Sequence, residues 1–171
     1  MRASSLLLGA FTCPIAFELV RPATVTRHEE DGVTYVTRRD YELAYRTVLR
    51  FADDAELPVT AKLFGELGQF VVIRDEHSRP TMQCAYVQGR SEIYDAAGNL
   101  IFDGRYYDSR VINPLTGDDA LTLTGTMTAD HYENGFGRGA YAGHAFTLGV
   151  HLTRDNAGGG QAHGEATGHI D

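Results

Sequence analysis

The chain of 171 residues has no tryptophan, two cysteines and fewer basic than acidic residues. Its 15 lysines and arginines against 23 aspartates and glutamates give a formal net charge of -8, and no basic run offsets it. Such a charge opposes nucleic-acid backbones and anionic membrane surfaces, so we expect neither as a partner. A neutral or cationic small molecule remains compatible with this charge.

Long apolar runs are also missing, and no stretch is long enough to span a bilayer. The start, MRASSLLLGAFTCPIAF, has one arginine and a short apolar run, as in a weak secretory signal. Pro14 interrupts that run, and no small-x-small cleavage site follows. Cys13 and Cys84 have no metal or redox spacing, so we interpret them as separate thiols. Together these features favour a cytoplasmic protein.

Several catalytic motifs are absent as well. The sequence contains no G-x-S-x-G nucleophile elbow, no GxxxxGK[ST] phosphate loop and no HExxH zinc helix. The string GFGRGAYAG at 135–143 resembles a dinucleotide fingerprint, but the residues after it alternate as in a strand instead of opening a helix. Hydrolase and nucleotide-binding functions are therefore disfavoured.

The N-terminal part predicts a hairpin followed by a helix. Residues 15–27 and 33–38 are β-like, and Asp31-Gly32 between them is typical of a tight turn. Asp40 can cap a helix over 40–54, in which apolar residues recur at helical spacing, and Pro58 lies beyond its end. The recurring residues are Tyr41, Ala44, Tyr45, Val48 and Ala52.

The chain from Phe64 onward is β-rich, and turn residues separate its segments. The predicted strands are 68–75, 82–94, 99–112, 119–129 and 141–154. After them comes a glycine-rich tail, 155–171, which either resumes as a short last strand or forms a loop.

These elements predict one all-β domain spanning 1–171, an antiparallel up-and-down β-barrel of about eight strands with one helix in its N-terminal half. The hairpin and helix occupy 1–60, and the barrel core occupies 64–154. The lipocalin Gly-x-Trp signature cannot be present without tryptophan. A barrel of eight strands is about the size that holds one small ligand.

The segment 121–152 consists of two strands joined by a glycine-dense corner. After the corner, Phe146, Leu148 and Val150 fall on one face, while the small residues Gly143, Ala145 and Gly149 fall on the other. Glycines within barrel strands leave interior volume that bulky side chains would otherwise fill. This pattern predicts a cavity inside the barrel.

Two motifs resemble the allene oxide cyclase barrel-like superfamily, which includes dirigent proteins and bacterial spirotetronate-type cyclases. The first is a Tyr-Asp pair and a glycine entering a hairpin, here Tyr94, Asp95 and Gly98. The second is a later glycine corner, here Gly135, Phe136, Gly137, Gly139, Ala140 and Gly143. The resemblance covers residues 64–152, and residues 1–60 have no part in it.

The resemblance implies a cofactor-free cyclase that folds a flexible, apolar polyene or polyketide-like substrate into a reactive conformer. Holding reacting atoms together needs little acid-base machinery, so the absence of a catalytic triad is expected. The family also implies a homo-oligomer, a dimer or a trimer. The alternative is a binding module, a lipocalin-like carrier or dirigent-like protein that holds the same kind of molecule without turnover.

Four side chains are candidates for polarising a substrate carbonyl, namely Glu66, Tyr86, Tyr106 and His144. Each has a structural interpretation too: Glu66 as a loop charge, the tyrosines and His144 as core residues. Candidate substrate contacts lie in the same β-rich part of the chain. They are Arg105, Tyr107, Met127, Tyr141 and Phe146. Arg105 and Tyr107 take the opposite strand face from Tyr106.

A third hypothesis is a cupin-like metal enzyme. His163, Glu165 and His169 share one face if 163–169 is a strand, and two histidines with a carboxylate can hold a metal. Gly164 and Gly168 weaken a strand there, and solvated terminal histidines are the simpler interpretation. The cyclase hypothesis needs no metal or other cofactor.

Overall fold

The computed structural model describes residues 5–77, 80–115, 125–156 and 161–171, and it describes 80–86 by backbone alone. Within these ranges the elements are β1 (Gly9–Ala16), β2 (Glu18–Arg21), β3 (Thr24–Glu30), β4 (Val33–Arg39), β5 (Tyr41–Phe51), β6 (Glu56–Arg74), β7 (Pro80–Asp95), β8 (Leu100–Asn113), β9 (Thr126–Gly137), a 3-10 turn (Gly139–Tyr141), β10 (Ala145–Asp155) and β11 (His163–Ile170). No helix in these ranges has the length and apolarity needed to cross a membrane.

Eight antiparallel strands close into a barrel, which confirms the predicted fold class. Their order is β5-β1-β11-β10-β9-β8-β7-β6, and β6 pairs back onto β5. β2 extends the sheet along β5, and β3 and β4 extend it along β6. Three barrel strands, β1, β5 and β11, lie outside the predicted core of 64–154.

The predicted helix over 40–54 is wrong, because these residues form β5. Tyr45, Leu49 and Phe51 are buried on the inner face, whereas Arg46 and Arg50 are exposed on the outer face. This alternation is the period of a strand, and the apparent helical spacing combined residues from both faces. Pairing with β6 along nearly the whole of β5 overrides the local helical pattern.

The N-terminal hairpin and the last strand are present. Asp31 and Gly32 both have positive φ, 51° and 78°, and join Glu30 to its partner Val33 in a two-residue turn. Of the two interpretations of the tail, the strand is observed, since β11 pairs with both β1 and β10.

The small residues of β10 line the outside of the barrel, so they do not leave the interior volume that the sequence pattern predicted from them. Phe146, Leu148, Val150 and Leu152 are buried, whereas Thr147 and His151 are exposed. The interior on this side is packed with aromatic rings. The Phe146 ring lies 5.6 Å from that of Phe11 and 5.2 Å from that of Phe102.

Two irregularities turn side chains toward one end of the barrel. Asp40, with φ 58°, separates β4 from β5, so that Arg38 and Tyr41 both face inward although they are three residues apart. In β8 a bulge at Arg110, with φ 52°, does the same for Asp108 and Val111. Residues three apart in a regular strand face opposite sides, so these bulges decide which side chains meet.

Candidate functional site

One end of the barrel opens into a cavity of about 600 Å³. It lies where β1 and β10 end and where β5, β9 and β11 begin, below the chain segment that carries β2 and β3. Most of its wall is apolar, with Phe17, Leu43, Phe70, Val87, Met127 and Leu152 among the lining residues. A concave, apolar site of this size fits a small organic molecule.

The segment around β2 covers this cavity loosely. Four residues of this segment form the outer wall of the cavity, namely Leu19, Pro22, Ala23 and Val25. Leu19 is 65% exposed and Val25 is 43% exposed, so these apolar side chains are incompletely packed. The cover therefore contributes apolar surface to a ligand without sealing the barrel.

A buried hydrogen-bonded chain leads from the cavity wall into the core. Asp108 lines the cavity, and its Oδ1 lies 2.5 Å from Nδ1 of His131. Nε2 of His131 lies 3.0 Å from Oε2 of Glu133, which also accepts a hydrogen bond of 2.8 Å from the Tyr45 hydroxyl. Among these hydrogen-bonded side chains, Asp108 is thus the one that a bound molecule can contact.

The two carboxyl groups hold His131 in its charged form. Burial lowers the pKa of His131, but Asp108 and Glu133 together outweigh it and raise the pKa to about 10. Burial and the neighbouring Glu133 raise the pKa of Tyr45, so its hydroxyl keeps its proton and donates. The site therefore contains an imidazolium, with its two ring nitrogens facing two carboxyl groups, at neutral pH.

Two tyrosines occupy space beside this chain. The Tyr106 hydroxyl donates to the Tyr41 hydroxyl at 3.2 Å, and the Tyr106 ring lies 5.4 Å from that of His131. Burial raises the pKa of Tyr106, so it is a hydrogen-bond donor at any physiological pH. Gly65 and Gly89 make room for these rings, since a Cβ at either would collide with the Tyr41 or the Tyr106 ring, respectively.

Two arginines line the same cavity. The Arg38 guanidinium lies 5.5 Å from the centre of the Phe70 ring, and Nε of Arg154 donates to Oδ1 of Asn156 at 3.0 Å. Burial lowers the pKa of both arginines, and Arg38 lowers that of Arg154 further because the two like charges repel. The cavity thus combines positive charge with the Asp108 carboxyl.

Two buried acceptors near these groups have no hydrogen-bond partner within the described residues, Oδ1 of Asn113 and Oε1 of Glu133. Asn113 lines the cavity, where a ligand or a water can satisfy its oxygen. Glu133 is 1% exposed, and its other oxygen already accepts from His131 and Tyr45. An acceptor without a hydrogen-bond partner in the wall of a cavity favours a ligand-binding function for that cavity.

Of the three predicted catalytic residues whose side chains the structure describes, one is close to this site. Tyr106 is buried and adjoins His131, as described above. Glu66 lies on the outer surface, where its two oxygens accept hydrogen bonds from Arg105 at 3.0 and 2.8 Å. His144 is outside the cavity lining, with Nδ1 2.5 Å from the carbonyl oxygen of Asp171. The side chain of Tyr86 lies outside the described residues.

Of the five predicted substrate contacts, Met127 lines the cavity. Arg105 and Tyr107 face outward, opposite to Tyr106 as predicted, and the Tyr107 ring stacks on that of Tyr132 at 5.0 Å. Tyr141 and Phe146 are buried against the Phe102 ring, away from the cavity lining. The structure therefore does not bring the nine predicted residues together.

The metal hypothesis is not supported. His163, Glu165 and His169 share one face of β11, as predicted, and all three are exposed. Across the described ranges, no group of three or more His, Cys, Asp and Glu side chains is placed to hold a metal ion. The free Cys13 thiol is buried, and burial raises its pKa to about 12, so it is inert as a ligand.

Asp108, His131 and Glu133 were missed in the sequence, although β9 carried a signal. His131 and Glu133 continue the alternation of Met127 and Ala129, so they belong to the apolar face of that strand. Ionisable residues on the inner parity of a barrel strand are costly to bury and therefore worth noting. Asp108 shares the parity of Phe102 and Tyr106 in β8, but both faces of this strand are mixed in sequence, so parity alone did not identify the inner face.

No family model, no curated protein sequence and no solved structure matches this chain.

Proposed function

We propose that this protein is a cofactor-free cyclase, which closes a ring in a flexible, largely apolar polyene or polyketide-like molecule held in the barrel-mouth cavity. The observation that supports it best is the cavity itself. This space of about 600 Å³ has an apolar wall with one carboxyl group, Asp108, backed by the buried His131. The resemblance of the 94–98 hairpin and the 135–143 corner to cyclases of the allene oxide cyclase barrel-like superfamily is consistent with this proposal.

The cavity shape accounts for most of the expected rate enhancement. A flexible chain loses conformational freedom when it folds within apolar walls, and its reacting ends are then held together. Such positioning can supply about 7 kcal/mol of a barrier. A cycloaddition of this kind exchanges two π bonds for two σ bonds, so no atoms enter or leave the molecule.

Asp108 and His131 add polarisation to this positioning. Asp108 can pass a proton from Nδ1 of His131 to a carbonyl oxygen of the substrate and take it back after ring closure. Glu133 and Tyr45 hold the imidazole ring in place through its other nitrogen. His131, Glu133 and Tyr45 are positioning residues, since none of them lines the cavity.

The same network favours an enzyme over a carrier. A protein that holds an apolar molecule needs the cavity but not a buried imidazolium between two carboxyl groups. Ionised groups are expensive to bury, and replacing such a network by apolar side chains is often stabilising. Its presence beside the cavity supports a chemical function.

The test is turnover of a synthetic linear triene, in which a flexible chain joins a 1,3-diene to an unsaturated ketone. The probe is offered as its carboxylic acid and as its primary amide, and chromatography with mass detection follows a product of unchanged mass. We expect cyclisation of at least one form above the uncatalysed rate. Asp108→Asn should lower that rate about 100-fold, because the side-chain amide of this variant cannot relay a proton.

Glu66→Gln is the matched control, since it replaces a carboxylate that is paired on the outer surface. Its rate should equal that of the wild type. Binding of the probe without any acceleration would instead identify a carrier, and equal rates in the wild type and Asp108→Asn would remove Asp108 from the chemistry.

A further inference from the structure

The cavity contains two positive charges that its proposed reaction does not use. Arg38 comes from the end of β4, and Arg154 comes from the end of β10. The two guanidinium groups are close enough for Arg38 to lower the pKa of Arg154. Two separate elements thus bring like charges together at the same wall.

Neither arginine forms an ion pair within the described part of the chain, although the protein has 23 acidic residues and a net charge of -8. Arg27, Arg50, Arg90, Arg105 and Arg138, by contrast, each have a carboxylate partner. Both cavity arginines are only partly exposed. Positive charge that is partly removed from water and left unpaired is unfavourable unless something else compensates it.

Both side chains are also fixed in place. The Phe70 ring supports the Arg38 guanidinium through a cation–π contact, and Asn156 accepts from Nε of Arg154. With Nε occupied, the two terminal nitrogens of Arg154 remain as a fork. Planar guanidinium forks match the two oxygens of a carboxylate.

We propose that the cavity binds an apolar carboxylate, with its anionic head between Arg38 and Arg154 and its hydrocarbon body along Met127 and Leu152. This inference rests on the proposed function, because it uses the same cavity as the substrate site. It deepens that function by naming the substrate class, an amphipathic acid. An anionic ligand differs from the neutral or cationic small molecule with which the net charge was compatible. Asp108 then acts on the body of the substrate, away from its head.

Calorimetry with two unreactive probes tests this inference without any need for turnover. Decanoate carries the anionic head, and decanamide has the same chain and no charge. We expect the wild-type protein to bind decanoate about tenfold or more tightly than decanamide, since charge-assisted hydrogen bonds are the stronger kind. Arg38→Gln and Arg154→Gln should each weaken decanoate about tenfold and leave decanamide unchanged.

Arg90→Gln is the matched control. Arg90 also lies over an aromatic ring, that of Phe64 at 4.8 Å, but it is not among the cavity residues. Its replacement should change neither affinity. A far-ultraviolet spectrum and a melting curve for each variant identify any that is misfolded, and the wild-type comparison stands without the variants.

Equal affinity of the wild type for the two probes would overturn the carboxylate site, as would failure to bind decanoate. The cyclase proposal does not depend on either result, because cyclisation of the uncharged triene amide tests it separately. Conversely, tight binding of decanoate with no turnover of either triene would leave the carboxylate site in place and end the cyclase proposal.

Discussion

At the scale of single residues, His131 is the most unusual group in the molecule. It is 1% exposed, yet its pKa is raised, because Asp108 and Glu133 contribute more than burial removes. The groups around it come from three strands: Asp108 and Tyr106 from β8, Glu133 from β9, and Tyr45 from β5 through Glu133. The Phe17 ring packs against it at 5.1 Å.

This raised pKa predicts how stability depends on pH. The pKa of His131 rises from 6.5 to about 10 on folding, so the folded state binds the proton more tightly. Its contribution is complete below pH 6.5 and is lost as the pH rises toward 10. The free energy of unfolding should fall over this window by at most about 1.4 kcal/mol per pH unit. Urea unfolding at several pH values measures this decline.

His131→Gln should remove that part of the pH dependence, so the difference between wild type and variant should shrink as the pH rises. His151→Gln is the control, since His151 pairs with Asp130 at 2.8 Å on the solvent side and is 64% exposed. It should retain the wild-type slope. A wild-type slope in His131→Gln would show that other groups cause the decline.

The local sequence did not predict which carboxyl side chains are buried and which are exposed. Glu66 lies in an apolar stretch of sequence, LFGELGQF, yet it faces outward to Arg105 at the bulge in β6. Glu133 lies among polar neighbours in HYENG and is buried. The hydrophobicity of neighbouring residues therefore failed to predict burial at both positions. Strand parity would have predicted the burial of Glu133, whereas at Glu66 the parity of β6 changes because of the bulge.

At the scale of elements, glycines inside the strands hold the aromatic interior together. The small residues of β10 were predicted to leave interior volume for a cavity, but they lie on the outside of the barrel. Gly89 in β7 faces Tyr106, and a Cβ there would also collide with the backbone oxygen of Phe64. Backbone cannot move aside as a flexible side chain can, so this position requires glycine.

Gly89→Ala should therefore lower the free energy of unfolding by about 2 kcal/mol or more, as overpacking in a core does. Gly149→Ala is the matched control, because a Cβ there would meet the Tyr132 ring at 3.4 Å, an ordinary contact. It should leave stability unchanged or raise it by about 0.5 kcal/mol. Chemical denaturation of both variants gives the comparison, and equal stabilities would show that the β7 backbone can shift to accept a methyl group.

The misassigned helix has a cause at this same scale. In the segment YELAYRTVLRF, Tyr41, Tyr45 and Val48 satisfy helical spacing, while Tyr45, Thr47 and Leu49 satisfy strand spacing. Short amphipathic segments satisfy both periods, and the choice depends on the partner. Here β6 pairs with β5 from Gly65 to Glu56, a contact that no local pattern reveals.

At the scale of the whole molecule, the sequence predicted the barrel but not which side chains lie inside it or where its cavity is. Alternating segments and turn residues predicted an antiparallel barrel, and the Asp31-Gly32 turn was predicted to the residue. Closure joins β1 to β11 and β5 to β6, so the two ends of the chain meet in neighbouring strands. Which face of each strand points inward depends on that closure and on the bulges, and the cavity depends on both. The expected dimer or trimer stays a prediction.

This closure predicts where the molecule opens first. β10 and β11 each have a hydrogen-bonded neighbour on both sides, whereas among the described strands β3 pairs with β4 alone and is exposed along its whole length. Hydrogen exchange should therefore be slowest in β10 and β11 and much faster in β3. Saturating decanoate should slow exchange in β2, which borders the cavity through Leu19. Uniform protection across all these strands would contradict this picture.

The most direct test of the central claim is a crystal structure of the protein with the cyclised product of the triene acid. We expect the product ring in the barrel mouth beside Asp108, with its carboxylate between Arg38 and Arg154. The rival position is the groove of about 410 Å³ on the outer surface beside Tyr107 and Tyr132. Product in that groove, with the barrel mouth empty, would contradict the claim that the mouth is the reaction site.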